Sequence, residues 1–243
     1  MGALEKSGDY LVGGRKEMRG FIEEWKARKR DLAMYAGILA GVWAAGVMLV
    51  YLLRVSGGQG YPVAGGSMMA AMSFVGAVLC GFGADFSMTY DLAVGFGKTR
   101  RKFLGNTFAV YLVNGILLAL EVRLLLEAEI FHNRICYRGV KILRPDSVYL
   151  SAPWVVALTI LLIGLALFGG MLLHKFRGKA VAALMLLWLF VCLEMSGETT
   201  ISRAAIEGFL HLSVEIQFVL TSFLGITVLT ASAAAMRKEP VRG

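Results

Sequence analysis

Long apolar runs separated by short polar and basic stretches set the pattern of this chain. A helix needs about 20 apolar residues to cross the hydrocarbon core of a bilayer. Six runs approach or reach that length: Ala33 to Leu53, Pro62 to Ala84, Phe103 to Leu126, Ala152 to Leu173, Ala180 to Met195, which is the shortest, and Leu212 to Met236. The pattern predicts an all-α, polytopic membrane protein with six transmembrane helices. Ahead of the first run, Met18, Phe21, Ile22 and Trp25 fall at i, i+3, i+4 and i+7 within Arg15 to Asp31, and Arg15, Lys16, Arg19, Lys26 and Arg30 occupy the remainder. Such a segment is an amphipathic helix lying in the membrane surface, its basic side toward lipid headgroups. The expected organisation is an arm with this surface helix (1–32), a six-span domain (33–236) and a tail (237–243).

The connections differ in kind. Between the second and third runs lies a polar, basic island, Asp85 to Phe103, DFSMTYDLAVGFGKTRRKF. Its left half, Phe86 to Phe96, can form a short helix with Met88, Leu92 and Phe96 on one face, and its right half carries Lys98, Arg100, Arg101 and Lys102. This is read as a docking element for a partner. Ser56 to Gly66 is a glycine-rich link. Glu127 to Ser151 is longer and mixed in charge, with Pro145-Asp146 as a turn signal. In Ser196 to His211, Ile201, Ala204, Ala205, Ile206 and Phe209 make a short apolar face. A loop free in water needs no such face, so the segment is expected to dip back as a re-entrant turn whose backbone groups are buried in protein.

Composition agrees with the pattern: 57% of residues are hydrophobic and 17% charged, against roughly half and a quarter in soluble domains. The net charge of +8 would suggest nucleic acid in a soluble protein. Here the basic residues flank apolar runs, where they orient the chain and meet anionic lipid, and no motif or aromatic-basic platform for nucleic acid is present. Counting Lys and Arg between the six runs gives eighteen on the side of the two termini, six on the other, and Arg123 inside the third run. By the positive-inside rule both termini are cytoplasmic and the protein sits in the cell membrane as a multi-pass chain. Cys80, Cys136 and Cys192 are odd in number and widely spaced, which gives neither a disulfide framework nor a metal site. The N-terminal residues do not read as a signal peptide, since the first apolar run begins near Ala33 and continues to a full span.

Four motifs were weighed for chemistry. Gly97-Lys98-Thr99 resembles the end of a phosphate-binding loop, but Leu92 stands where that loop needs glycine and a membrane span precedes it. Glu23-Glu24 with Arg28 has the spacing of intramembrane CAAX-type proteases, yet it lies on the surface helix, and none of His132, His174 and His211 completes it. Ser67 with His211 lacks oxyanion-hole donors. Glu121, Arg123 and Glu127 sit toward one end of the third run, where charge is expensive unless paired. Arg123 and Glu127 can satisfy each other at i, i+4, and the group is either an interfacial ion pair or the polar lining of a pathway.

With these pieces in place the chain resembles the permease subunit of type-2 ATP-binding-cassette (ABC) exporters, particularly small six-span ones. The resemblance rests on the basic surface helix, six spans with both ends inside, a segment between spans two and three, a re-entrant element before the last span, and the Leu92 to Gly105 stretch LAVGFGKTRRKFLG. It implies that Tyr90, Asp91, Leu92, Gly95, Phe96, Gly97, Lys98, Arg100 and Arg101 couple the spans to a separate soluble ATPase. ATP and Mg would be held there and no cofactor by this chain, which would have no catalytic role of its own. It also implies a second permease copy or a sister permease. Rivals from other classes are a non-transporting immunity, sensor or scaffold subunit and a membrane-embedded protease. The topology has a direct test: in a background without native cysteines, single cysteines near Arg101, Arg177 and Lys238 are expected to resist an impermeant outside reagent, and those near Gly58, Arg138 and Arg203 to react. Labelling near Arg101 and Arg138 from the same side would defeat the six-span arrangement.

Overall fold

A computed structural model describes residues 2–56, 64–95, 99–136, 151–176, 179, 208–209 and 211–238. The regular elements in this set are helical: α1 (Gly2–Val55), α2 (Gly65–Gly76), a π-helical segment π1 (Ala77–Phe82), α3 (Gly83–Gly95), α4 (Arg100–Cys136), α5 (Ala152–Phe176) and α6 (Val214–Lys238). Five stretches among the described residues are long and apolar enough to cross a membrane: Ile22–Leu53, Gly65–Gly95, Lys102–Ile135, Ala152–Phe176 and Val214–Met236. The fifth run of the sequence, Ala180 to Met195, lies outside the described residues. Ile201 and Ile206 of the expected re-entrant segment do so as well.

Local sequence accounts for the helix starts. Thr99 caps α4, its Oγ1 accepting from the Lys102 backbone N–H at 3.4 Å, and Ser213 caps α6 in the same way through Ile216. Pro153 sits in the first turn of α5, where a missing N–H costs nothing.

Two expected boundaries are absent. The surface helix is not separated from the first span: α1 runs without a break for 54 residues, about 80 Å at 1.5 Å per residue. Nothing between Arg28 and Ala33 interrupts the backbone ladder, because a change from charged to apolar side chains changes a helix's surroundings and leaves its hydrogen bonds intact. Likewise, Phe86 to Phe96 does not begin a short helix of its own. Its described part, to Gly95, continues the second span through α2, π1 and α3, a stretch of 31 residues.

The described residues group into two compact units, 1–71 with 99–142 and 72–98 with 143–243. In the first, α1 meets α4 along its length and meets the start of α2 at a glycine contact. A Cβ on Gly66 would stand 2.7 Å from the Trp43 carbonyl oxygen, and one on Gly46 would stand 2.7 Å from the Gly66 Cα. In the second, α3 and α5 touch backbone to backbone: a Cβ on Gly170 would lie 2.6 Å from the Gly83 oxygen, and one on Gly83 would lie 2.9 Å from the Ala166 oxygen. Small residues permit this close approach where lipid supplies no hydrophobic drive between helices. Trp154 packs edge-on against Phe218, ring centroids 5.5 Å apart, and joins α5 to α6.

The buried line of the second span, Phe74, Val78, Phe82, Phe86 and Tyr90, repeats every four residues. In a pure α-helix of 3.6 residues per turn such a line drifts about 40° per step, and four steps would carry Tyr90 far around from Phe74. The π segment covers Ala77–Phe82, and its wider turns rotate the other way, which holds the line closer to one face.

The glycine contact in the second unit predicts a position-specific effect. Gly170→Ala must push a methyl group into backbone and is expected to destabilise the protein by about 1–3 kcal/mol. Gly169→Ala, with nothing within 4 Å of the new Cβ, should be neutral or slightly stabilising. Thermal unfolding of the detergent-solubilised protein measures both; equal shifts would rule out the close contact.

Candidate functional site

Three clusters of polar side chains are buried inside apolar helix contacts, and each belongs to one unit. The first lies between α1 and α4. Glu24 accepts a hydrogen bond from the Thr107 hydroxyl at 2.9 Å, and Trp25 donates from its indole nitrogen to Asn114 Oδ1 at 3.2 Å. Arg28 donates to the Tyr111 hydroxyl at 3.1 Å, stands 5.1 Å from that ring's centroid, and lies 3.8 Å from the Glu24 carboxylate one turn before it. Thr107, Tyr111 and Asn114 recur at i, i+4 and i+7, so α4 presents one polar stripe to a matching stripe on α1. Interhelical bonds of this kind contribute roughly 0.6 kcal/mol each in a membrane, up to about 1.7.

This arrangement revises the membrane-surface reading of Arg15 to Asp31. Trp25 is partly buried and turned toward Asn114, whereas Ile22 is 40% exposed. The side chains of Met18 and Phe21 lie outside the described set. Glu24 and Arg28 need protein partners once they leave water, and Thr107 and Tyr111 supply them, so these two charged side chains face α4. Lys26, Lys29 and Arg30 remain exposed.

The second cluster caps α2. The Glu129 carboxylate, 2% exposed, accepts from the backbone N–H groups of Gly66 at 3.1 Å and Ser67 at 2.7 Å, and from the Ser67 hydroxyl. The first N–H groups of a helix have no partner within it, and its start carries partial positive charge. A carboxylate from a neighbouring helix satisfies both needs. Asn133, one turn further along α4, is buried, and its Nδ2 has no hydrogen-bond partner.

The third cluster lies where α3, α5 and α6 meet. Tyr90, fully buried, donates its hydroxyl to the Met236 carbonyl at 3.0 Å and meets the edge of the His174 ring, centroids 5.1 Å apart. His174 Nδ1 stands 3.6 Å from Asp91 Oδ2. The remaining polar atoms of that pair, His174 Nε2 and Asp91 Oδ1, are buried without partners. An unmet buried polar group costs about 1–3 kcal/mol, so this cluster is only half satisfied.

The other residues singled out from the sequence are dispersed. Arg123 and Glu127 are exposed on α4, Glu121 is half-buried, and no ion pair between Arg123 and Glu127 is found among the described residues. Leu92 and Gly95 are exposed at the end of α3. Phe96, Gly97 and Lys98 lie outside the described residues, and Arg100 and Arg101 are described as helical backbone alone. Phe209 is half-exposed, and its carbonyl accepts from the Gln217 amide at 3.1 Å. No group of three or more metal-ligating side chains occurs among the described residues. Sequence reasoning passed over Glu129 and Asn114, and named His174 only to set it aside as a protease ligand. The signal available was polar residues at helical spacing within or just beyond an apolar run.

No protein-family model, no curated protein and no solved structure matches the chain.

The cap on α2 can be tested by comparing two changes at one position. Glu129→Ala leaves three buried donors without an acceptor and is expected to cost about 2 kcal/mol or more, and Glu129→Gln, which keeps one carbonyl oxygen, distinctly less. A Glu129→Ala variant that unfolds at the parent's temperature would show that the cap contributes nothing.

Proposed function

We propose that this chain is the membrane-spanning permease subunit of a type-2 ABC exporter, with six spans and both termini cytoplasmic. Two such subunits, identical or sister chains, would line the path, and separate soluble ATPase subunits holding ATP and Mg would drive it. In this reading the chain itself performs no chemistry.

The observation that carries the reading is the overrun of the second span. Its 31 residues measure about 46 Å, against roughly 30 Å of hydrocarbon, and its charged residues, Asp85 and Asp91, both lie toward the end. The last turns therefore stand beyond the apolar layer, and they have two sides. Phe86 and Tyr90 are buried, whereas Met88 is 72% and Leu92 is 60% exposed. An apolar side presented at that level, followed by Lys98 to Lys102, suits a groove with an acidic rim on a soluble partner. The positive-inside count favours the cytoplasmic side for it.

The reading requires a soluble ABC ATPase encoded beside this chain, and the test is its capture after co-expression. Removing central apolar contacts typically costs about 2 kcal/mol or more at an interface, whereas rim charges cost less and mainly slow association. Met88→Ala with Leu92→Ala is accordingly expected to abolish capture, and Lys98→Ala to weaken it slightly, with membrane insertion normal in both. Unchanged capture by the double variant would refute the coupling role, and an intact protein that binds no such ATPase would refute the permease reading.

A further inference from the structure

The coupling reading explains the outward side of α3 and leaves its inward side unexplained. On that side Tyr90, Asp91 and His174 form a cluster that serves stability poorly, because an apolar trio of similar size would fill the space without leaving Asp91 Oδ1 and His174 Nε2 buried and unpaired. What the cluster does supply is direction. The Tyr90 hydroxyl is fixed on the Met236 carbonyl of α6 at 3.0 Å, its ring lies against the edge of His174 on α5, and His174 faces Asp91, the residue next to Tyr90. One turn of α3 is thereby held by two other helices at once. Below it, the Gly83–Gly170 contact prevents α3 from sliding toward or away from α5, but a contact between glycines places little restraint on rotation about the helix axis. The directed Tyr90–Met236 hydrogen bond supplies that restraint, backed by the His174 ring packed against Tyr90 and facing Asp91.

We infer that Tyr90, Asp91 and His174 are positioning residues: they lock the rotation of the last turns of α3 against α5 and α6, so that Met88 and Leu92 are presented in one orientation to the ATPase partner. This inference rests on the permease reading for its partner, but the lock itself is a property of this chain alone. None of the three residues need touch the ATPase. If unlocking leaves only about a tenth of molecules in the docking orientation at any moment, apparent affinity falls about tenfold, because affinity scales with the competent fraction.

The experiment uses the full chain, in a background without native cysteines, with spin labels at Val94→Cys on α3 and Phe176→Cys on α5. The distance distribution between the labels is recorded by pulsed electron paramagnetic resonance, and affinity for the co-encoded ATPase is measured on the same samples. Tyr90→Phe, which removes one hydroxyl, and His174→Ala are each expected to broaden the distribution at least about twofold and to weaken ATPase binding about tenfold. His174→Gln, which keeps a polar group within reach of Asp91, should recover most of both. Tyr90→Phe guards against misfolding as the cause, since it preserves the packed ring. Unchanged distributions in Tyr90→Phe and His174→Ala would overturn the lock, and broadened distributions with unchanged ATPase affinity would overturn its role in presenting Met88 and Leu92. Failure of the parent protein to bind the ATPase would instead overturn the permease reading, and with it the assigned purpose of the lock.

Discussion

Glu129 at the start of α2, the Glu24–Arg28 pair against α4 and Tyr90 against Met236 answer one constraint: a polar group removed from water must find its partner in the protein. Each solution joins separate helices through a directed bond. Apolar packing alone leaves helices in lipid free to exchange neighbours, because lipid tails are as apolar as leucine. The directed bonds fix which helix meets which and at what height, so the buried polar residues determine the arrangement more than their small number suggests.

The glycine contacts complement these bonds. Gly66 beneath Trp43 and Gly170 beside Gly83 bring backbones close enough for short polar side chains to reach across. Gly66 meets α1, and the next residue, Ser67, meets Glu129 on α4. Without the bonds, the glycine surfaces would allow sliding and rotation. Close approach and directed bonding thus occur together at the Glu129 cap and at the Tyr90 cluster.

Much of the fold was legible from the sequence. Five of the predicted spans coincide with long apolar helices, since the length of an apolar run is a property of the chain by itself. The ends of those helices were less legible. Asp31 and Asp85 were read as limits because charge marks the edge of the bilayer, but a helix continues as long as its backbone ladder is unbroken, and at both places it is. The buried clusters were the least visible. Thr107, Tyr111 and Asn114 announce a polar stripe by their spacing, yet its partners, Glu24, Trp25 and Arg28, lie more than eighty residues earlier, and Trp25 by its own periodicity belongs to a face expected on a lipid surface. His174 stands just past the end of the fourth apolar run, with nothing in the sequence to pair it. Only the folded chain sets it beside Asp91.

The four-residue repeat from Phe74 to Tyr90, maintained through the π segment, makes chain length in this region a structural parameter in its own right. A substitution at Ala77 or Leu79 alters one side chain. A single-residue deletion between Gly83 and Asp85, in the α-helical turns beyond the π segment, would turn everything downstream by about 100° and carry Tyr90 off its buried face with its composition unchanged. Over this stretch the protein should accept many replacements of residue type and few changes in residue number.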